Sequence, residues 1–368
     1  MQAGHPTQFS NSRDADHIVH HAFDLTCHLS RPWPFLYWVD LIGCESLGWT
    51  ALYLCGITRW PWCIGYFLIA LITLYRSILF IHEVVHLTGR RMTVFRFGWN
   101  LLVGIPMFTP TFLYEIHLEH HARNMYGTVE DAEYTPWGIR PPRQIFAFVF
   151  ASFFFPFVAI LRFLVVAPLN WFFAPLRSWA YQHFSTLAVK KGYKRQVKRP
   201  IPFRWWIQEL CAALWAISLT VLVLSGSLSP KWIVLWMCVT STASFLNALR
   251  TLTAHRYLNN DRATMTFLEQ VKDSVNHPHG VLPEILAPVG LRYHALHHLL
   301  PCLPYHSLPR AHRILMERLP EDSLYHSTNS PTLRATLRTL WESARRTAQH
   351  SDNHFASGIS AAERISNS

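Results

Sequence analysis

Charge is scarce in this chain. Asp, Glu, Lys and Arg make up 15% of its 368 residues, against about 25% in soluble domains. Half of the residues are hydrophobic and 14% aromatic, and the apolar ones are gathered into long runs. That distribution favours one membrane unit over two soluble domains. Paired cysteines are also missing. None of the seven, Cys27, Cys44, Cys55, Cys63, Cys211, Cys238 and Cys302, belongs to a CxxC pair, and several lie inside apolar runs. A disulfide framework and a zinc ribbon are therefore disfavoured, and the thiols read as reduced and mostly structural. The first thirty residues lack a basic start, an apolar stretch and a small-residue cleavage site, so no signal peptide is expected. The formal charge of +11 does not point to nucleic acid, because Lys190, Lys191, Lys194, Arg195, Lys198 and Arg199 flank apolar runs. Orientation in a bilayer accounts for them better.

Four runs approach the roughly 20 helical residues that cross a hydrocarbon core: Phe35 to Ile57, Trp62 to Ile81, Trp206 to Leu224 and Trp232 to Leu249. Tryptophans at their ends, such as Trp33, Trp60, Trp62 and Trp205, suit the membrane interface. Thr58 to Pro61 alone joins the first pair and Ser225 to Lys231 the second, so each pair predicts a transmembrane hairpin returning to its starting side. A fifth apolar stretch, Ile145 to Phe173, is interrupted by Pro156 and Pro168 and bracketed by basic residues on both flanks. It reads as a re-entrant or interfacial segment, with an ordinary fifth span as the alternative. Phe95 to Leu113, broken by Gly104, Pro106 and Pro110, reads as a half-buried helix.

The expected fold is all-α and integral to the membrane: two transmembrane hairpins, the re-entrant segment and a cytoplasmic helical cap. Residues 1–32 form a polar N-terminal segment, 33–320 the catalytic domain and 321–368 a polar tail. In the tail Leu333, Leu337, Leu340 and Trp341 recur at helical spacing, which predicts an amphipathic helix, and the composition from about Ser351 predicts disorder.

Histidine, by contrast, is abundant, at 22 residues. Three clusters stand out: His82-Glu-Val-Val-His86, His117-Leu-Glu-His120-His121 and His294-Ala-Leu-His297-His298. Residues three and four apart share a helix face, so each cluster aims two or three imidazoles at one point. A lone histidine is more often a satisfied core or interface residue, the reading given to the N-terminal histidines and to His183, His306, His312 and His350. Converging imidazoles without a metal would leave buried polar groups unpaired, at about 1 to 3 kcal/mol each. All-imidazole ligation suits iron, zinc or copper. Zinc takes three or four ligands, whereas these eight fit two metal ions with positions left open for oxygen, which favours two irons.

The order and spacing of the clusters resemble the membrane fatty acid desaturase and hydroxylase superfamily, whose signature is HxxxH, HxxHH and HxxHH. The likeness covers roughly Pro34 to Arg313 and extends to Gly127 to Tyr134 (GTVEDAEY) after the second cluster and Gly290 to His294 (GLRYH) before the third. Among Glu130, Asp131 and Glu133, partners that orient ligand imidazoles and a plain solvated acidic turn are both open readings. The resemblance implies that molecular oxygen is the co-substrate, that an acyl chain in an apolar tunnel loses two hydrogens to become an alkene, and that an external donor of ferredoxin or cytochrome b5 type supplies electrons. The segment Thr251 to His255 (TLTAH) resembles the NxxxH element that supplies a ninth histidine in some desaturases, which makes His255 a candidate ligand, with Thr251 where the element has Asn. His277 to Gly280 (HPHG) only superficially resembles a haem-binding HPGG loop. A multi-pass protein of the inner cell membrane, with its site facing the cytoplasm, is implied.

Three other classes compete. The same di-iron site could return oxygen to a lipid or carotenoid as a hydroxylase or ketolase. His82-Glu83-Val84-Val85-His86 is literally an HExxH motif of zinc hydrolases, with Glu83 as general base, although this leaves the other two clusters unexplained. A non-enzymatic membrane metal-binding protein is the third.

Overall fold

The computed structural model describes residues 18–187, 190, 192–197 and 200–366, the last seventeen of these by backbone alone. His5, His17, Lys191, Lys198 and Arg199 lie outside the described residues. Among the described residues the chain is all-helical, with only isolated β-bridges.

Helix α1 (residues 18–26) leads into α2 (Pro34–Ile57), and α2 with α3 (Trp62–His86) forms the first hairpin. At 1.5 Å per residue the 25 residues of α3 rise about 37 Å, enough for a hydrocarbon core of about 30 Å. The two helices pack so closely at Gly48 that a Cβ there would lie 2.6 Å from Leu74 Cγ, which only glycine permits. By length and apolarity α3 qualifies as a membrane span. Helix α2 is as long but carries Asp40 and Glu45, and both are answered within the hairpin region. Asp40 accepts from Arg76 Nε at 2.9 Å, and Glu45 accepts from Trp49 Nε1 at 2.8 Å.

Helix α4 (Thr93–Trp99) continues into a π-helical turn, Asn100–Gly104, and then breaks, as its glycine and prolines require. Phe95, Trp99 and Val103 bury one side of it. A short α5 (His117–His120) follows, then α6 (Pro142–Ser152), α7 (Phe155–Leu161), a second π-helical turn at Arg162–Val166, α8 (Ala167–Phe172) and α9 (Ala174–His183). Phe155–Phe172 is long and apolar enough to be a candidate span. Its flanks meet, because Lys190 Nζ donates to the carbonyls of Val129, at 2.8 Å, and Asp131. Arg162 also donates from Nε to the Phe184 carbonyl at 3.1 Å. Residue 190 thus lies back beside residues 129–131. The middle of Phe155–Phe172 is joined to the second hairpin by a buried ion pair, Arg162 with Glu209.

That second hairpin is α10 (Phe203–Leu224) and α11 (Pro230–Ala254), both long and apolar enough to span. Large side chains facing outward, such as Val39, Leu68, Leu214, Val221 and Val234, give the bundle an apolar exterior that suits lipid. The architecture is that of an all-α integral membrane protein.

The cap is built from α12 (Phe267–Asp273), α13 (Val281–Leu286), α14 (His294–Leu299) and α15 (Leu308–Arg318). Ala22 of α1 is wholly buried against this cap with Leu296, Leu299 and Leu315, so residues 18–26 dock beside the third histidine cluster. Helix α16 (Leu333–Ser366) lies on the body through Leu340 and Ala344, packed with Trp137 and Ile145. The amphipathic helix expected in the tail is thus present, and it continues through the segment whose composition predicts disorder.

Candidate metal centre

Each histidine cluster sits where a helix delivers it. His82 and His86 occupy the last turn of α3, four residues apart on one face. His117, His120 and His121 lie on the single turn of α5 and its C-cap, held by the backbone bond from His121 N to His117 O. His294, His297 and His298 lie on α14, whose start is fixed by the β-bridge of Tyr293 with Asn276. His255 is the C-cap of α11 and is held by a bridge to Ser274.

All nine converge, in two groups. His82, His86, His117, His121 and His297 form the first; His120, His255, His294 and His298 form the second, with the ligand atoms of each group within 4.8 Å of one another. The second and third clusters are divided between the groups, because on one helical turn the middle histidine points away from the flanking ones. In the first group the Nε2 atoms of His117 and His121 are 3.0 Å apart, His121 and His297 3.1 Å, and His297 and His86 3.2 Å. In the second, His294 Nε2 is 3.0 Å from His255 Nε2 and 3.1 Å from His298 Nε2. The groups adjoin, with the His121 and His298 rings stacked at 4.3 Å.

This arrangement fits metal ions. A neutral imidazole has one donor and one acceptor nitrogen, so crowded Nε2 atoms cannot all be satisfied by one another. Both ring nitrogens of buried His82 lack any protein partner. Burial drives His117, His121, His255, His294, His297 and His298 well below the ordinary histidine pKa, which keeps their rings neutral and able to donate a lone pair.

The outward nitrogens are held by acids. Asp131 Oδ2 is 2.8 Å from His120 Nδ1, and Glu133 Oε2 is 2.8 Å from His117 Nδ1. Asp131 also accepts the Gly127 and Glu133 backbone N–H groups, each at 2.9 Å. Gly127 adopts φ +73° there, which favours glycine. Of the three acids singled out, Asp131 and Glu133 are imidazole partners, whereas Glu130 is exposed. Burial disfavours charge on His120, but the Asp131 carboxylate beside it, with Glu133 and Asp273, raises its pKa. Burial pushes Glu133 up to about 7.

A third support escaped the sequence reading. The Tyr126 hydroxyl donates to Asp273 Oδ2 at 2.7 Å and lies 2.8 Å from His255 Nδ1, so a carboxylate reaches His255 through a tyrosine. No motif marks Asp273, whose partner lies 147 residues away; only its burial beside α11 reveals it. Glu83 belongs to neither group. Its carboxylate accepts from the Tyr37 hydroxyl of α2 at 2.5 Å, so the HExxH reading lacks its base. His277 of the HPHG segment lies 3.1 Å from the Thr253 carbonyl and braces the end of α11.

A cavity of about 180 Å³ reaches His82, His117, His120, His255 and His294, members of both groups. Its walls are mostly apolar, from Tyr75, Ile78, Leu79, Met107, Phe155 and Leu291, with Thr240, Ser244, Asn247 and Thr251 from α11.

Three histidine clusters gathered at one end of paired apolar hairpins agree with a direct comparison, in which residues 57–329 match the model of the fatty acid desaturase family. The chain belongs to that family. It is also 36% identical, over 331 residues, to a ceramide hydroxylase of Caulobacter vibrioides (strain NA1000 / CB15N), covering 89% of this chain and 94% of the relative. No solved structure matches the chain. Family and relative together identify this member of the fatty acid desaturase family as a lipid-oxidising membrane enzyme of the desaturase and hydroxylase type.

Proposed function

We propose that the enzyme hydroxylates a long-chain lipid of ceramide type at an unactivated carbon, using two irons held by the two histidine groups. The first ion would be held by His82, His86, His117, His121 and His297, and the second by His120, His255, His294 and His298. Iron bound there supplies the activation of molecular oxygen and the oxidising power that an unactivated C–H bond requires.

The chain's own residues do the rest. Asp131, Glu133 and the Tyr126–Asp273 pair fix ring orientation and the tautomer that turns Nε2 inward. The apolar walls exclude water and hold the chain so that one carbon faces both groups. Thr240, Ser244, Asn247 and Thr251 recur at helical spacing along α11, and they suit hydroxyl and amide groups of a polar lipid.

The observation that carries this reading is the cavity touching both groups, seen in a chain alike over nearly its whole length to a ceramide hydroxylase. Desaturation of a fatty acyl chain is the second reading, favoured by the matched family. It uses the same site and differs in whether the substrate radical takes an oxygen or loses a second hydrogen. Electrons come from an external ferredoxin or cytochrome b5 type donor. Both termini, the 190–199 segment and the site face the cytoplasm, as the positive-inside rule orients them, with residues 33–320 as the catalytic unit.

Expression in a host that makes ceramides, followed by mass spectrometry, tests the reading. A product gaining one oxygen supports hydroxylation, one losing two hydrogens transfers the claim to desaturation, and unchanged lipids with a metal-loaded protein refute both.

A further inference from the structure

A second chamber, of about 1010 Å³, lies between α6, α7 and the segment after α9. Its lining carries four basic side chains, Arg140, Arg162, Lys190 and Arg262, and, among the described residues, no carboxylate. Three of them keep an unanswered donor: Nε of Arg140, Nη1 of Arg162 and Nε of Arg262 have no hydrogen-bond partner. Arg162 is 3% exposed. One side of its guanidinium is committed, Nη2 to Glu209 and Nε to the Phe184 carbonyl, which leaves Nη1 without a partner. Lys190 and Arg262 crowd together, both donating to the Val129 carbonyl, at 2.8 and 3.4 Å. Like charges gathered in a half-apolar chamber are costly unless an anion joins them.

Phe148, Ser152, Phe155 and Leu187 line both this chamber and the cavity of the histidine site. A molecule whose head occupies the chamber can therefore thread an apolar tail past these residues toward the two groups. We infer that the chamber is a binding site for the anionic, phosphate-bearing headgroup of a long-chain lipid. An acidic protein surface could also be drawn to cations, but the apolar passage shared with the histidine site suits an acyl tail and not a folded protein. Arginine forks match phosphate oxygens bidentately, and partial burial strengthens such bonds. The binding of such a lipid does not depend on the oxidase reading above.

The test uses the full-length protein in neutral detergent, with dipalmitoyl phosphatidate, dipalmitoyl phosphatidylcholine and inorganic phosphate as probes and native mass spectrometry as readout. Phosphatidate binds in preference to phosphatidylcholine. Arg140→Gln and Arg262→Gln each weaken phosphatidate by about tenfold and leave phosphatidylcholine unchanged. Arg345→Gln, an exposed cation of α16, changes neither. Equal binding of the two lipids, full affinity in both chamber variants, displacement by inorganic phosphate alone, or variants that weaken only the electron donor's KM would each overturn the headgroup site. Phosphatidate binding that survives in a protein oxidising no lipid would refute the oxidase reading and leave the chamber standing.

Discussion

Asp131 Oδ2 lies 2.8 Å from His120 Nδ1, and the same carboxylate accepts the backbone N–H of Gly127 and Glu133. One buried acid thus folds the turn after α5 and turns a ring of the second group. Its substitution by Asn removes an acceptor and sets an amide N–H against donors. Asp131→Asn is expected to lower metal affinity and turnover by about 10- to 100-fold, checked by metal titration and initial rates.

His255 stands 3.0 Å from His294 and 39 residues before it in sequence. It supplies one of only four imidazoles in the second group. His255→Ala is expected to reduce bound iron from about two to about one per chain and to abolish turnover. Full iron content and activity in this variant would remove His255 from the site.

Tyr126 transmits Asp273 to His255 without belonging to either group. Tyr126→Phe keeps the ring and loses the bridge, so activity is expected to fall by about tenfold with two irons retained. A fall in iron as large as that of His255→Ala would show that the tyrosine holds the fold of the site rather than ring orientation.

Glu83 separates this account from a zinc hydrolase. Because it bonds Tyr37 and belongs to neither histidine group, Glu83→Gln is expected to keep oxidase turnover within a few-fold while costing about 1 to 3 kcal/mol of stability, read from thermal unfolding in detergent. A general base in its place would make the same variant inactive.

The histidine clusters were legible because ligand geometry on a helix leaves a local signature of three- and four-residue spacings. How they divide between two groups was not, since that depends on which side of α5 and α14 each ring takes. Four of the long helices follow from runs of apolar residues, yet α2 carries Asp40 and Glu45, whose partners Arg76 and Trp49 appear only once the hairpin is folded. The prolines and basic flanks of 145–173 suggest a re-entrant course, while the helical run Phe155–Phe172 is also long and apolar enough to span. Asp273 was invisible because its partners Tyr126 and His255 lie far away in sequence. The continuation of α16 past Ser351 was missed because small and polar residues give a weak helical signal.

Membrane sidedness is open to a separate check. Cysteine labelling in intact cells and in inverted vesicles is expected to find position 194 and the C-terminus on the cytoplasmic side and Ser227, in the turn between α10 and α11, on the other. Labelling of position 194 from outside would contradict the re-entrant segment.

Two groups of imidazoles that hold two irons should be visible in the metal content of the purified, active protein, measured by plasma mass spectrometry. About two irons per chain, falling together with turnover on chelation and both restored by ferrous iron alone, is the predicted result; stoichiometric zinc with full activity would contradict it.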